Sequence, residues 1–356
     1  MTIGLHRPFN MPLKSLVWIC RFCKMYHIKR RHDFYIDFFL WMLRVLVDNS
    51  RNFDEHNAEG ISKPQNARTI LELFDGLGYE EIKRSVRMTL RKRESEKDRL
   101  IYNNYKNTSY YITLAKKVDL IDGRGVLSPL GEELAQVRDY RFFELSDKHR
   151  VLIFRALSHD FFEKLIIITQ GHRLVKGSKT LENAFFRSFL KRSGSEGLIR
   201  YITSFNDNYL EVLRHWVETL RLCTDAGLVR RMYLKEIAQL GLMADYETLL
   251  ENTEAFFENE FKMCVKQEEQ YQKIRDSYES YQKRGLTDLG YVNLYDIKKC
   301  FRLSFEKYND LLNSYYSQNR QKEIILFSNT VASIDQRRRF VVGGTAALKI
   351  RIIKKS

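Results

Sequence analysis

Four side chains near the start of the chain have the types a zinc ion prefers: Cys20, Cys23, His27 and His32. Thiolates and imidazoles are the usual ligands for that ion. Their spacing, Cys-x2-Cys-x3-His-x4-His, is cramped and falls in an apolar helical run with no glycine to form a knuckle. Buried helical cysteines suit that pattern better, and no metal is expected. Two Glu-x-Lys triplets of the kind used by metal-dependent nucleases follow an acidic residue, Glu81-Ile82-Lys83 after Asp75 and Glu260-Phe261-Lys262 after Glu258. Such sites need a strand to hold their carboxylates in register, whereas both triplets fall in helix-patterned segments. The chain contains no Walker-type phosphate loop, no Gly-x-Ser-x-Gly and no Ser/His/Asp or Cys/His set. His149, His159, His172 and His215 stand alone as packing or surface residues. Neither catalysis nor a cofactor nor a small-molecule ligand is expected.

What the composition offers instead is charge. The 356 residues carry a formal net charge of +15. Residues 1–145 hold 25 basic against 19 acidic side chains, and residues 146–244 hold 16 against 10. Residues 245–284 invert the balance, 6 against 10, before residues 285–356 restore it, 13 against 6. Basic segments of this kind attract polyanions and speed encounter with them. The five cysteines are odd in number and scattered, as in a protein from a reducing compartment. No apolar run reaches the roughly 20 residues of a membrane span. A cytoplasmic or nucleoid-associated protein is the expectation.

The elements that must carry this charge are mainly helical. Only 4 prolines and 17 glycines stand beside 23 phenylalanines and 20 tyrosines, which favours long helices with aromatic cores. Residues 1–60 read as a helical segment with two packed helices, Leu13–Met25 and Asp33–Val47. In residues 61–145, helices are predicted over Ala67–Asp75 and Glu80–Arg93, with the mixed-charge run Arg91 to Arg99 as a solvated helix end. A third helix is predicted after Asn107, capped by Thr108 or Ser109. A short strand, a tight turn at Asp122-Gly123-Arg124-Gly125 and a second strand at Val126-Leu127 follow it. Ser128-Pro129 then opens another helix.

Tyr111-Ile112-Thr113-Leu114-Ala115-Lys116-Lys117-Val118-Asp119-Leu120-Ile121, followed by Val126-Leu127-Ser128-Pro129-Leu130-Gly131-Glu132-Glu133-Leu134, resembles the end of a winged-helix module. The resemblance covers about 75 residues and names a superfamily, not a function. It implies a third helix whose outer face, Tyr110, Thr113, Lys116 and Lys117, enters the major groove of duplex DNA, with Arg124 at the wing tip. The inward face is Tyr111, Ala115 and Val118.

A second segment, residues 146–244, repeats the logic. Leu210, Leu213, Val217 and Leu220 form one helical face, and Asp225-Ala226-Gly227-Leu228-Val229 exits into a turn. Asp147–Leu157, Phe161–Thr169 and Leu181–Lys191 supply its other helices. Arg214 and Arg221 flank Glu218 on its outer face, with Arg230 and Arg231 at the wing. Residues 245–284 read as one long acidic helix, roughly 38 residues and about 57 Å, with an aromatic seam stepping by 4 and 3 from Tyr246 to Tyr281. Either its own chain or a protein partner covers that seam. Residues 285–356 read as an α+β winged module: helices Tyr295–Phe305 and Glu306–Gln318, then strands Glu323–Phe327, Arg337–Val342 and Ala347–Ile353. Arg337, Arg338, Arg339, Lys349 and Arg351 would make a basic hairpin suited to phosphates.

The expected fold is mainly α with small β wings. The expected function is non-catalytic DNA binding, as a recognition or adaptor subunit of a larger DNA-processing or phage-defence assembly. The organisation is similar to the recognition halves of some restriction enzymes. The alternative is an interaction subunit whose winged helices clasp a partner ATPase, as in condensin-type complexes, and a metal-dependent nuclease is a third class.

Overall fold

The computed structural model describes residues 10, 12–26, 33–53, 61–92, 95–138, 141–175, 179–192, 208–287, 289–320, 323–328 and 340–354. The chain is mainly helical with a few small antiparallel strands near its end. It divides into two compact units, Met1–Phe257 and Glu258–Ser356. Among the described residues no helix is long and apolar enough to cross a membrane.

The first unit begins with α1 (Lys14–Tyr26) and α2 (Phe34–Asp48). Most residues of both helices are buried, so they belong to the core of the unit. Trp18 stacks on Phe142 at 4.7 Å, and its indole N–H donates to the Phe142 carbonyl at 2.7 Å. Cys20 and Cys23 are buried in α1, and burial pushes both thiols up, Cys23 to about 12. His27 and His32 lie outside the described residues. Three helices follow: α3 (Pro64–Leu73), α4 (Tyr79–Lys92) and α5 (Glu96–Lys117). Asp33, at the start of α2, ties down α4 by accepting from Lys83 at 2.8 Å and from Arg87, and these hydrogen bonds hold its carboxyl below the usual carboxylate range.

After α5 the chain turns through Asp119, at φ 52°, into a minimal hairpin closed by an Ile121–Leu127 bridge. Then α6 (Pro129–Ala135) starts, with Ser128 as its cap and proline at its first turn. The strands predicted on either side of the turn are thus reduced to a single antiparallel pair. The next helices are α7 (Asp147–Leu174), α8 (Lys179–Arg192), α9 (Asn208–Leu220), α10 (Arg231–Gln239) and α11 (Met243–Phe256). The segments Asp147–Leu157 and Phe161–Thr169, predicted apart, are one helix. No glycine or proline separates them, and Ser158 returns its hydroxyl to the Phe154 carbonyl without leaving the helix.

The second hairpin reproduces the first at a constant offset of 102 residues. In one, Leu120 N–H donates to Ala115, Asp122 to Val126 and Ser128 to Leu120; in the other, Leu222 donates to Val217, Thr224 to Leu228 and Arg230 to Leu222. The left-handed residues match as well: Asp119 with Arg221 and Gly125 with Gly227. A helix–hairpin–helix element is therefore used twice in this unit.

The hairpin and the following helix are packed so closely that a Cβ at Gly131 would lie 2.1 Å from the Leu120 carbonyl oxygen. Backbone must move to admit it. Gly131→Ala is therefore expected to lower stability by about 1–3 kcal/mol, read as a shift in the denaturation midpoint. An unchanged midpoint would show that the packing there is loose.

The second unit opens within a π-helical turn, Phe257–Phe261, which passes into α12 (Lys262–Lys283). Then come β1 (Val292–Asn293), α13 (Leu294–Lys299), α14 (Phe305–Asn319), β2 (Glu323–Ser328), the hairpin β3 (Phe340–Val342) and β4 (Thr345–Ala347), and β5 (Lys349–Lys354). The three-stranded antiparallel sheet has the order β1-β5-β2, with Val292 opposite Ile350 and Ile325 opposite Ile352. Ile325 and Ile350 share its inner face, where they join Tyr271, Ile274 and Tyr278 of α12 and Tyr308, Leu312 and Tyr315 of α14 in one core. The aromatic seam of the acidic segment is thus covered by its own unit from Tyr271 to Tyr278. Gln267, a polar position in that seam, donates to the Ser314 hydroxyl at 2.7 Å.

Candidate nucleic-acid interface

Helix α5 is set by its first turn. The Ser95 hydroxyl accepts from Asp98 N–H at 3.1 Å, and the Asp98 carboxylate accepts from Ser95 N–H at 3.0 Å, a reciprocal capping box. The helix therefore starts at Glu96, a dozen residues before the predicted cap at Thr108 or Ser109. Those two side chains instead donate to carbonyls within the helix, at Tyr105 and Lys106. Ile101, Asn104, Thr108, Tyr111, Ile112 and Ala115 form its buried face.

On the opposite face stand Arg99, Asn103, Lys106, Tyr110, Thr113 and Lys117, at steps of 4, 3, 4, 3 and 4. Arg99, Asn103 and Thr113 are exposed, while Lys106, Tyr110 and Lys117 are half-buried. None of the six is acidic. The Lys106 ammonium lies between the Tyr102 and Tyr110 rings, at 6.0 and 5.9 Å from their centroids. Burial lowers the pKa of Lys117. Thr113 donates its hydroxyl to the Ser109 carbonyl at 2.8 Å, which leaves its oxygen able to accept. Of these six, the sequence pattern pointed to Tyr110, Thr113 and Lys117 and missed Arg99, Asn103 and Lys106. The signal for them was present in Ser95-x-x-Asp98, which marks a helix start inside a run read as a solvated end.

Lys116 belongs elsewhere. Its ammonium is 4.9 Å from the Tyr35 ring centroid, 3.1 Å from the Tyr35 hydroxyl and 3.3 Å from the Gly123 carbonyl. It fastens the hairpin to α2 and does not share the outer face with its neighbour. Arg124 is exposed at the hairpin tip, where its N–H donates to the Asp122 carboxylate at 2.7 Å. The hydrogen bonds from Val126 and Arg124 hold the Asp122 carboxyl below its ordinary range.

The second copy of the element is closed at the corresponding places. A shift of 102 residues takes Tyr110 to the fully buried Val212, and Lys117 to Thr219, whose carbonyl accepts from Arg150 of α7 at 3.2 Å. Arg214, predicted on the outer face, is 7% exposed. Its guanidinium bonds Glu182 at 2.9 Å, Glu211 at 3.1 Å and Asn183 at 2.7 Å, so it is an interior cation. Arg221, Arg230 and Arg231 remain exposed around that hairpin, with Arg230 also donating to the Cys223 carbonyl at 3.1 Å.

In the second unit Lys349 and Arg351 are half-buried on the outer face of the sheet, where Arg351 stands opposite Leu326. Arg337, Arg338 and Arg339 lie outside the described residues. The outer side of α14 is crossed by the β3–β4 hairpin. Asn309 accepts from Val341 N–H at 2.8 Å, and Asn313 donates to the Val341 carbonyl at 2.6 Å and accepts from Gly343 N–H at 2.9 Å. Among the charged residues left exposed on α14 are Glu306, Lys307 and Asp310.

Among the described residues Arg99, Lys106 and Lys117 make no ion pair, whereas Arg150, Arg155, Arg173 and Arg214 each hold a carboxylate. A helix face of unpaired bases, one aromatic ring, an amide and a hydroxyl can contact phosphates and base edges together. No protein-family model, curated protein or solved structure matches the chain.

Proposed function

We propose that the chain is a non-catalytic binder of duplex DNA that presents the outer face of α5 to the major groove, together with Arg124 at the hairpin tip. The observation that carries this reading is the acid-free face Arg99, Asn103, Lys106, Tyr110, Thr113 and Lys117, which runs directly into the hairpin. Three helices closed by a small hairpin are the winged-helix order, and the second unit supports the same reading with helices around the β1-β5-β2 sheet. The role that fits is recognition or adaptation within a larger DNA-processing or defence assembly, in the cytoplasm.

The test is a binding titration of the isolated chain on duplex DNA at several salt concentrations. Log affinity is expected to fall by about 0.9 per phosphate neutralised for each unit of log salt. A flat response, or no binding at low salt, overturns the reading. Cleavage on adding magnesium would instead point to a nuclease.

A second reading rests on α14. Its outer side is occupied by the β3–β4 hairpin, and two carboxylates flank Lys307 there. A winged unit closed in this way suits a protein partner, such as an ATPase subunit, better than a groove. Binding that appears only with such a partner favours this alternative.

A further inference from the structure

The groove-reading face of α5 is longer than a groove can use. From Arg99 to Lys117 it spans 18 residues, about 27 Å at 1.5 Å per residue. The major groove winds around the duplex, so a straight helix of this length seated at its hairpin end diverges from the groove toward its first turn. What stands at that far end is then opposite the flanking sugar-phosphate backbone.

There the last turn of α4 meets the first turn of α5, joined by a hydrogen bond from the Thr89 hydroxyl to Asp98 at 3.0 Å. Arg91 and Lys92 from α4 and Lys97 and Arg99 from α5 are all exposed. None of them has an ion-pair partner among the described residues. Asp98 is taken by Ser95 and Thr89, which leaves Glu96 as the exposed carboxylate of the described corner. Local stability explains Arg91 and Lys92, since cations favour a helix C-terminus. It does not explain Lys97 and Arg99, which stand in or beside the first turn of α5, against the helix dipole. The capping box already satisfies that end of the helix, so an anion there would be held by side chains.

We infer that the α4–α5 corner, Arg91, Lys92 and Lys97 together with Arg99, is a second phosphate-binding site that clamps the DNA backbone flanking the groove contact. The inference rests on the α5 reading above. The clamp takes phosphate of any sequence, so it supplies affinity and sets the length of the site without reading bases.

The experiment compares the full chain with the triple variant Arg91→Ala, Lys92→Ala and Lys97→Ala on a duplex of about 20 base pairs. All three side chains are exposed and unpaired, so the melting temperature should fall only by the small helix-dipole contribution of Arg91 and Lys92. The variant is expected to bind at least about ten-fold more weakly at low salt. Its log–log salt slope should be shallower by about 2 to 3, at about 0.9 for each phosphate that is no longer neutralised. The weakening should be equal on unrelated sequences. A second variant, Arg91→Lys, Lys92→Arg and Lys97→Arg, keeps the charges and should bind like the parent. If the alanine variant keeps the parental slope and affinity while an α5 variant (Tyr110→Ala with Lys117→Ala) loses binding, the clamp is overturned and the α5 reading stands. If the parent chain itself fails to bind, both fall together.

Discussion

Arg214→Ala is expected to destabilise the first unit by about 3–5 kcal/mol while leaving DNA affinity of the folded protein unchanged. The reason is the carboxylate it would abandon. Glu182 is 3% exposed and takes the Arg214 guanidinium at 2.9 Å, with His172 at 2.7 Å on its other oxygen. A buried charge that loses its partner keeps its desolvation penalty and loses its compensation. Replacing both members, Arg214→Met with Glu182→Gln, should recover much of the stability, because no buried charge is then left unmatched. Denaturation midpoints measure the first effect, and binding at low temperature measures the second. If Arg214→Ala leaves the midpoint in place and weakens DNA binding, the arginine is a surface residue that touches DNA and its interior role is wrong.

The same physics predicts the largest effect in the second unit. Arg275 of α12 bonds Glu323 of β2 at 2.9 Å, Asn319 of α14 at 2.9 Å and Glu268 at 2.9 Å, and it lies 5.5 Å from the Tyr315 ring centroid. The Tyr315 hydroxyl donates to the same Glu323, which is 7% exposed. One guanidinium therefore joins the helix, the sheet edge and the third helix. Arg275→Ala is expected to cost about 3–5 kcal/mol, with faster amide exchange in α12, α14 and β2. Adding Glu323→Gln to that variant should restore part of the protection. Unchanged exchange in β2 would mean that the network is ornamental to the sheet.

Local signals in the chain were legible where they are set by neighbours in sequence. Ser128-Pro129 marks the start of α6, and Asp122-Gly123-Arg124-Gly125 marks the first hairpin. The mainly helical class with small strands was readable from composition and periodicity alone. Two readings failed for one physical reason: they depended on residues distant in sequence. Lys116 looked like a neighbour of Lys117 on an open face, but Tyr35, 81 residues away, captures it. Arg214 looked solvated beside Glu218, but Glu182 on α8 draws it inward. The closure of α14 depends on Asn309 and Asn313 meeting a hairpin about 30 residues later, which no local pattern announces. The early start of α5 is different. Its capping box was local and readable, yet the dense charges around Ser95 hid it.

The most direct measurement for the central claim is the salt dependence of duplex binding by the full chain and by the variant Lys106→Ala, Tyr110→Ala and Lys117→Ala. All three side chains are half-buried on the outer face of α5, so binding is compared at a temperature where both proteins are folded. The parent is expected to bind with a steep salt slope. The variant should bind about ten-fold or more weakly, with a slope shallower by about 1.8 for the two cations removed. Equal affinity and equal slope for the two proteins would contradict the account.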